Sequence, residues 1–272
     1  MLVRIIAGVV LLPLLLLVVL FAPKICISIL FGVMAAIGAY ELLRGTGFVK
    51  ETRLNIYAMV IAFWVCLWCG LSIGYAWLLL GVLLFFVLLF AEVMISRMEL
   101  EFYKVAVCLV GGLVLPVLLG SLVRIHCHLD GRFYIFIPFI LAFMSDTGAY
   151  FSGCFFGKHK LAPVISPKKT IEGLVGGVIA TMLAMVVYCL IMKRFFGAEV
   201  SYIYALIYGL LGSLAGVFGD LCFSVIKRQT GIKDYGNLIP GHGGILDRFD
   251  SMMLVGPLAE VMILLIPVVV VK

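Results

Sequence analysis

Three polar stretches interrupt an otherwise apolar chain, and each carries residue types that handle phosphate or metal. The longest, "SVIKRQTGIKDYGNLIPGHGGILDRFDS" at 224–251, sets Lys227, Arg228, Lys233 and Arg248 beside Asp234, Asp247, Asp250 and His242. A plain connecting loop needs none of these. Its first residues continue a helical face from "YGLLGSLAGVFGDLCFSVIKR", where Asp220, Ser224, Lys227 and Arg228 follow at i, i+4, i+7 and i+8. That face changes from smooth to charged as the helix leaves the bilayer, with Asp220 ~10 Å below Lys227. Gly209, Gly212, Gly216 and Gly219 recur at helical spacing before it, so a neighbouring backbone can approach closely. Beyond the loop, Asp247 and Asp250 stand at i, i+3 on the start of the next apolar run, again on one face. Between the two helices "PGHGG" supplies flexible backbone, including Gly243 and Gly244, able to form an anion-binding nest. Carboxylates from two helices beside basic residues and a Gly-rich turn point to Mg2+ held against phosphates, with Asp220 and Asp247 as its ligands. Salt bridges that tie helix ends together are the plainer alternative.

The second stretch is "FMSDTGAYFSGCFFGKHKLAP". Asp146 lies twelve residues before Lys158, or ~18 Å along a helix, which puts it well inside the bilayer. An ionised carboxylate there costs about 2.5–3.5 kcal/mol unless a cation, a donor or a water cavity meets it. Tyr150 and Gly153 share its face, so the stripe is either a polar substrate cavity or an interhelical hydrogen bond. "GCFFGKH" departs from a P-loop, with one residue too few between its glycines and His159 where Ser or Thr should bind Mg2+. The third stretch, "ISPKKTIEGLVGG", reads as a helix start, with Ser166 as N-cap and Pro167 at the first helical position. Lys168 and Lys169 then fall in the first turn, the wrong charge for a helix dipole, so an anion should compensate them. Backbone N–H groups, both lysines and the Thr170 hydroxyl would make a phosphate site at the membrane surface. A basic anchor touching only lipid headgroups is the other reading.

These residues need a scaffold, and composition defines it. With 65% hydrophobic residues, 12% charged residues and a mean hydropathy of +1.26, the chain lies far outside the range of soluble domains. Nine apolar runs long enough to span a bilayer fall near 4–21, 25–43, 54–71, 75–95, 104–123, 133–153, 173–192, 201–226 and 249–271. The first is kept as a span rather than a signal peptide, because no small-x-small site follows its apolar core. The expected fold is therefore an all-α, polytopic membrane helix bundle of about nine transmembrane helices. Residues 1–130 hold about five spans, and 131–272 form a catalytic region with cytoplasmic loops 154–172 and 227–248. Nine spans put fourteen of the 20 Lys and Arg on the N-terminal side and six on the other. The positive-inside rule then places the N-terminus and the 224–251 loop in the cytoplasm and the C-terminus outside.

Eight cysteines show no metal or disulfide pattern, since all but Cys127 sit within or at the edges of apolar spans. "CLWC" at 66–69 lies mid-span without a βαβ context and reads as packing. "HCH" at 126–128 on the presumed outer side reads as a short polar loop, with a metal site as the alternative.

The long pattern is also familiar. From Ser224 through Lys227-Arg228, Lys233-Asp234, Gly236, Ile239-Pro240, His242-Gly243-Gly244 and Asp247-Arg248 to Asp250, the chain resembles the signature of the phosphatidate cytidylyltransferase (CDP-diacylglycerol synthase) family without departure. "SDTGAYFSGCFFGKHKLAPVISPKKTIEGLVGG" is similar to that family too, so the resemblance covers most of the chain from about 140 onward. It implies that a phosphatidate oxygen attacks the α-phosphorus of CTP, with pyrophosphate leaving. The converging carboxylates add Mg2+ as the expected cofactor. Asp220, Lys227, Arg228, Asp247, Arg248 and Asp250 would then carry catalysis. Substrate contacts would come from Asp146, Tyr150, Ser166, Lys168, Lys169, Thr170, Ser224, Lys233, Asp234, His242, Gly243 and Gly244. His242 reads as a phosphate or metal-water contact rather than a base, because the attacking phosphate is already an anion; a loop-stabilising role is the alternative. The expected partners are CTP, phosphatidate and membrane lipid, with no nucleic acid, and a homodimer is compatible with this. Two rivals remain: a lipid-alcohol (polyprenol) kinase using CTP, and an anionic lipid or solute transporter. Against transport, the charged motifs all lie in the C-terminal half, with no matching repeat in the first.

Overall fold

The computed structural model describes residues 18–19, 21–71, 73–238 and 243–270. Most of the expected first span, 4–21, lies outside them, as does His242. In chain order the elements are α1 (Lys24–Tyr40), which runs on through a π-helical turn Glu41–Gly45, α2 (Thr52–Leu71), α3 (Tyr75–Ile95) and α4 (Phe102–Cys127). After one helical turn at Gly131–Tyr134 come α5 (Phe136–Phe156), the hairpin β1 (Lys160–Ala162) and β2 (Ser166–Thr170), and α6 (Ile171–Phe196). The chain continues with β3 (Glu199–Val200), α7 (Tyr202–Gln229), α8 (Leu246–Phe249), α9 (Met252–Leu265) and β4 (Val269–Val270). Among the described residues, seven helices are long and apolar enough to cross a membrane. Long apolar runs must become helices in lipid, where no water satisfies free N–H and C=O groups.

The final span differs from expectation. Instead of filling 249–271, α9 stops at Leu265 after 14 residues, a length of about 21 Å against a hydrocarbon core of about 30 Å. Pro267 is the cause: the residue before a proline is pushed out of the helical region, and Ile266 has φ −140° and ψ 67°. The chain then turns back, and Val269 and Val270 pair antiparallel with Val200 and Glu199.

Two compact units divide the chain. The first comprises the residues up to Cys127 together with Gln229–Phe249; the second comprises His128–Arg228 and Asp250 onward. In the first unit α1 packs along α2, and α4 lies against both. Ile27, Phe31, Leu43, Leu54, Leu119 and Leu122 are fully enclosed there. Leu246 of α8 is also enclosed, its side chain reaching towards Gly38 of α1. Only Phe85 and Leu89 are buried in α3, most of whose other Leu, Val and Phe side chains face outward, as a lipid-facing helix requires.

In the second unit α5 and α6 share the closest helix pairing, made by small residues. A Cβ on Gly177 would lie 2.8 Å from the Ser145 carbonyl oxygen, so only glycine allows the two backbones this separation. The glycine stripe of α7 serves three neighbours: Gly209 abuts Met182 of α6, Gly212 abuts Leu141 of α5, and Gly219 abuts the backbone of Asp250 and Ser251. Ser145 and Ser213 hydrogen-bond at 2.7 Å between α5 and α7. Tyr134 and Tyr208 donate their hydroxyls to the carbonyls of Val269 and Ile266.

Candidate functional site

In the second unit, α5 presents Asp146, Tyr150 and Gly153 on one face. The hairpin sets Lys160, Lys168, Lys169 and Thr170 beside them. With Gly173 and Leu174 of α6 and Val217 of α7, these residues line a cavity of about 450 Å³. Lys169 Nζ lies 2.5 Å from Asp220 Oδ2, with side chains 21% and 29% exposed, and 3.4 Å from the Val217 carbonyl oxygen. Ser224 donates its hydroxyl to Asp220 Oδ1 at 3.1 Å, so both oxygens of that carboxylate are engaged. Asp146 makes no hydrogen bond or ion pair among the described residues and opens onto the cavity. The interhelical hydrogen bond of this stretch is made by the adjacent Ser145.

The hairpin corrects one expectation. Ser166 and Pro167 do not start the helix, because Ser166–Thr170 pairs antiparallel with Lys160–Ala162, in register Lys160↔Thr170 and Ala162↔Ser166. Thr170 is the N-cap of α6, its Oγ1 accepting the Gly173 N–H at 3.1 Å. Lys168 and Lys169 therefore stand on a strand, and the anion that compensates Lys169 is Asp220. Glu172 takes the first helical turn, where a carboxylate suits the dipole. It accepts the backbone N–H groups of Lys158 and His159, and its Oε1 lies 2.6 Å from His159 Nδ1, which ties the hairpin to the helix.

Further along α7, Lys227 Nζ stands 4.0 Å from Asp250 Oδ2, whose Oδ1 accepts the Ser251 N–H at 2.8 Å. Arg228 Nε donates to the Ile165 carbonyl at 3.1 Å, joining α7 to the β1–β2 turn. Among the described residues, no group of three or more His, Cys, Asp or Glu forms a metal cage, and this includes His126, Cys127 and His128. Mg2+ does not need one: it is held through one or two carboxylates, with phosphates and water completing its shell. The donor set is all oxygen, and it fits that ion.

In the first unit the signature loop is organised by carboxylates. Asp247, on α8, accepts the N–H groups of Tyr235 at 2.8 Å and Gly244 at 3.0 Å through Oδ2. Gly243 has φ +83°, which a side chain rarely tolerates. Lys233, Asp234 and Arg248 are exposed. Glu41, from α1's π-helical turn, is buried and accepts the N–H groups of Ile245 at 3.0 Å and Leu246 at 2.8 Å. Sequence reasoning passed over Glu41, Lys160 and Glu172. A lone acid within "AIGAYELLRGTG" was the available signal for Glu41, since charge inside a span is costly.

The sequence model of the cytidylyltransferase family matches residues 2–266. A curated relative from Staphylococcus saprophyticus, named phosphatidate cytidylyltransferase, is 39% identical over 177 residues, covering 65% of this chain and 66% of its own. Proteins of the same name from Staphylococcus haemolyticus (40% over 177 residues, again 65% and 66%) and Staphylococcus aureus (41% over 170 residues, 62% and 63%) align similarly. The chain thus spans just under two thirds of the length of these relatives. With residues 2–266 inside the family match, this chain belongs to the cytidylyltransferase family.

Proposed function

We propose that the protein transfers a cytidylyl group from CTP to phosphatidate, releasing pyrophosphate and leaving CDP-diacylglycerol in the membrane. The observation that carries this reading is the cavity lined by Lys160, Lys168, Lys169 and Asp146, with Asp220 ion-paired to Lys169 beside it. Two polyanions must come together for the reaction. Lysines on a fixed strand and hairpin lower that repulsion and offset charge on the transferring and leaving oxygens. A phosphatidate oxygen attacks the α-phosphorus, the bond to the β-phosphate breaks, and pyrophosphate departs in line. The nucleophile is already an anion, so no general base is required.

Mg2+ fits the oxygen donors of this unit, with Asp220 as the carboxylate that would hold it. When bound, the ion would neutralise charge on the phosphates. The other work falls to the chain itself: Ser224 orients Asp220, Thr170 fixes the hairpin on α6, and Lys169 is held by its ion pair until phosphate competes for it.

The purified protein in detergent distinguishes this reaction from its nearest rival. Pyrophosphate release that requires phosphatidate supports the proposal. Release of CDP with a lipid alcohol would assign the chain to the CTP-dependent kinases instead.

A further inference from the structure

Glu41 is a carboxylate within a helix of a membrane bundle, 5% exposed. Among the described residues its hydrogen-bond partners are backbone N–H groups alone, those of Ile245 and Leu246. The loop is shaped to receive it. A Cβ on Gly236 would sit 2.6 Å from Glu41 Oε1, and one on Gly244 would overlap the same carboxylate. Gly45, at the end of the same π-helical turn, lies so close to the Tyr235 carbonyl that a side chain there would overlap it. The turn Glu41–Gly45 thus holds the loop on both sides, at Tyr235–Gly236 and at Gly244–Leu246. Asp247 then draws the Tyr235 and Gly244 N–H groups onto a single oxygen. Between them two carboxylates take four backbone donors.

We propose that Glu41 is a positioning residue for the reaction: an anion built into the first described helix that seats the signature loop and so fixes the orientation of Asp247. This rests on the cytidylyl-transfer reading and deepens it. Gly236 and Gly244 are then required by Glu41 as well as by any phosphate. A π-helical turn, which adds a residue to the helix, is a common device for directing a side chain at a functional position.

The test uses the intact protein in lipid nanodiscs and two independent readouts. Limited trypsin digestion after Lys233 or Arg248 reports loop seating without nucleotide. Steady-state kinetics with CTP and phosphatidate report positioning. Glu41→Ala and Gly244→Ala should each raise the cleavage rate by about tenfold or more, since cleavage follows local opening. Both should lower kcat by roughly 30-fold or more while KM for CTP stays within about threefold, the signature of a lost transition-state interaction. Glu41→Gln keeps one acceptor oxygen and should recover part of both losses, and it carries the test if the alanine variants fail to insert. Leu42→Ala, on the same turn but facing Gly111, is the structural control and should lower thermal stability without changing either readout. Wild-type cleavage in Glu41→Ala or Glu41→Gln would overturn the clasp. Raised cleavage with wild-type kcat would overturn the positioning role. A wild-type protein inactive with CTP and phosphatidate would instead defeat the functional reading, and the digestion would still judge the clasp.

Discussion

At the residue scale, the Lys169–Asp220 pair is the centre of the candidate site. It is mostly shielded, and each partner is the other's main compensation, so removing one leaves a charge poorly solvated. Lys169→Ala should therefore lower kcat/KM by about 1–3 kcal/mol, the scale of a charge-assisted hydrogen bond. Lys168→Ala should cost less, because Lys168 is exposed on the strand. Asp220→Asn keeps shape and removes charge. It should lose most activity and shift the Mg2+ dependence to higher concentration, and a Mg2+ titration with the wild-type midpoint would remove Asp220 from the metal role. These residues were legible because charged groups stand out in a chain with only 12% of them. Lys160 was hidden by its place in a basic loop, where the positive-inside bias explains it equally well. Glu41 was hidden because its partners are backbone groups some 200 positions away.

At the element scale, the hairpin decides where the lysines point. Seven of the nine expected spans were readable, since lipid leaves an apolar run no alternative to a helix. The hairpin was not: "SPKK" has the composition of a helix start, and only the long-range pairing with Lys160–Ala162 makes it a strand. The end of α9 was obscured for a related reason. Hydropathy continues through Val268–Val270, while Pro267 has already ended the helix. Thr170 joins hairpin to helix, so Thr170→Ala should cost about 0.5–2 kcal/mol as a lost N-cap. In thermal unfolding in detergent this should appear as a lower Tm by roughly 2–4 °C per kcal/mol. An unchanged Tm would mean that Glu172 and the strand pairing hold the junction without the cap.

At the scale of the whole molecule, the split of basic residues fixes an expected orientation that labelling can check. In a cysteine-free background, Asn237→Cys should react with an impermeant maleimide only from the cytoplasmic side and Glu199→Cys only from the opposite side. Labelling of both from one face would contradict the topology. The assignment of Gln229–Phe249 to the same compact unit as α1–α4 could not be read from the sequence, where the loop sits between two spans of the C-terminal half. It depends on contacts such as Glu41 with Leu246 that no local pattern announces. The central claim is that this cavity brings CTP and phosphatidate together, and a single transfer measurement tests it. Protein reconstituted in vesicles containing phosphatidate is given Mg2+ and CTP labelled at the α-phosphate, and the lipid phase is extracted and counted. The account predicts label in CDP-diacylglycerol for the wild type, reduced roughly 5- to 150-fold in Lys169→Ala. Label that stays in the aqueous phase with the wild-type protein, or a Lys169→Ala variant that transfers it at the full rate, would contradict the account.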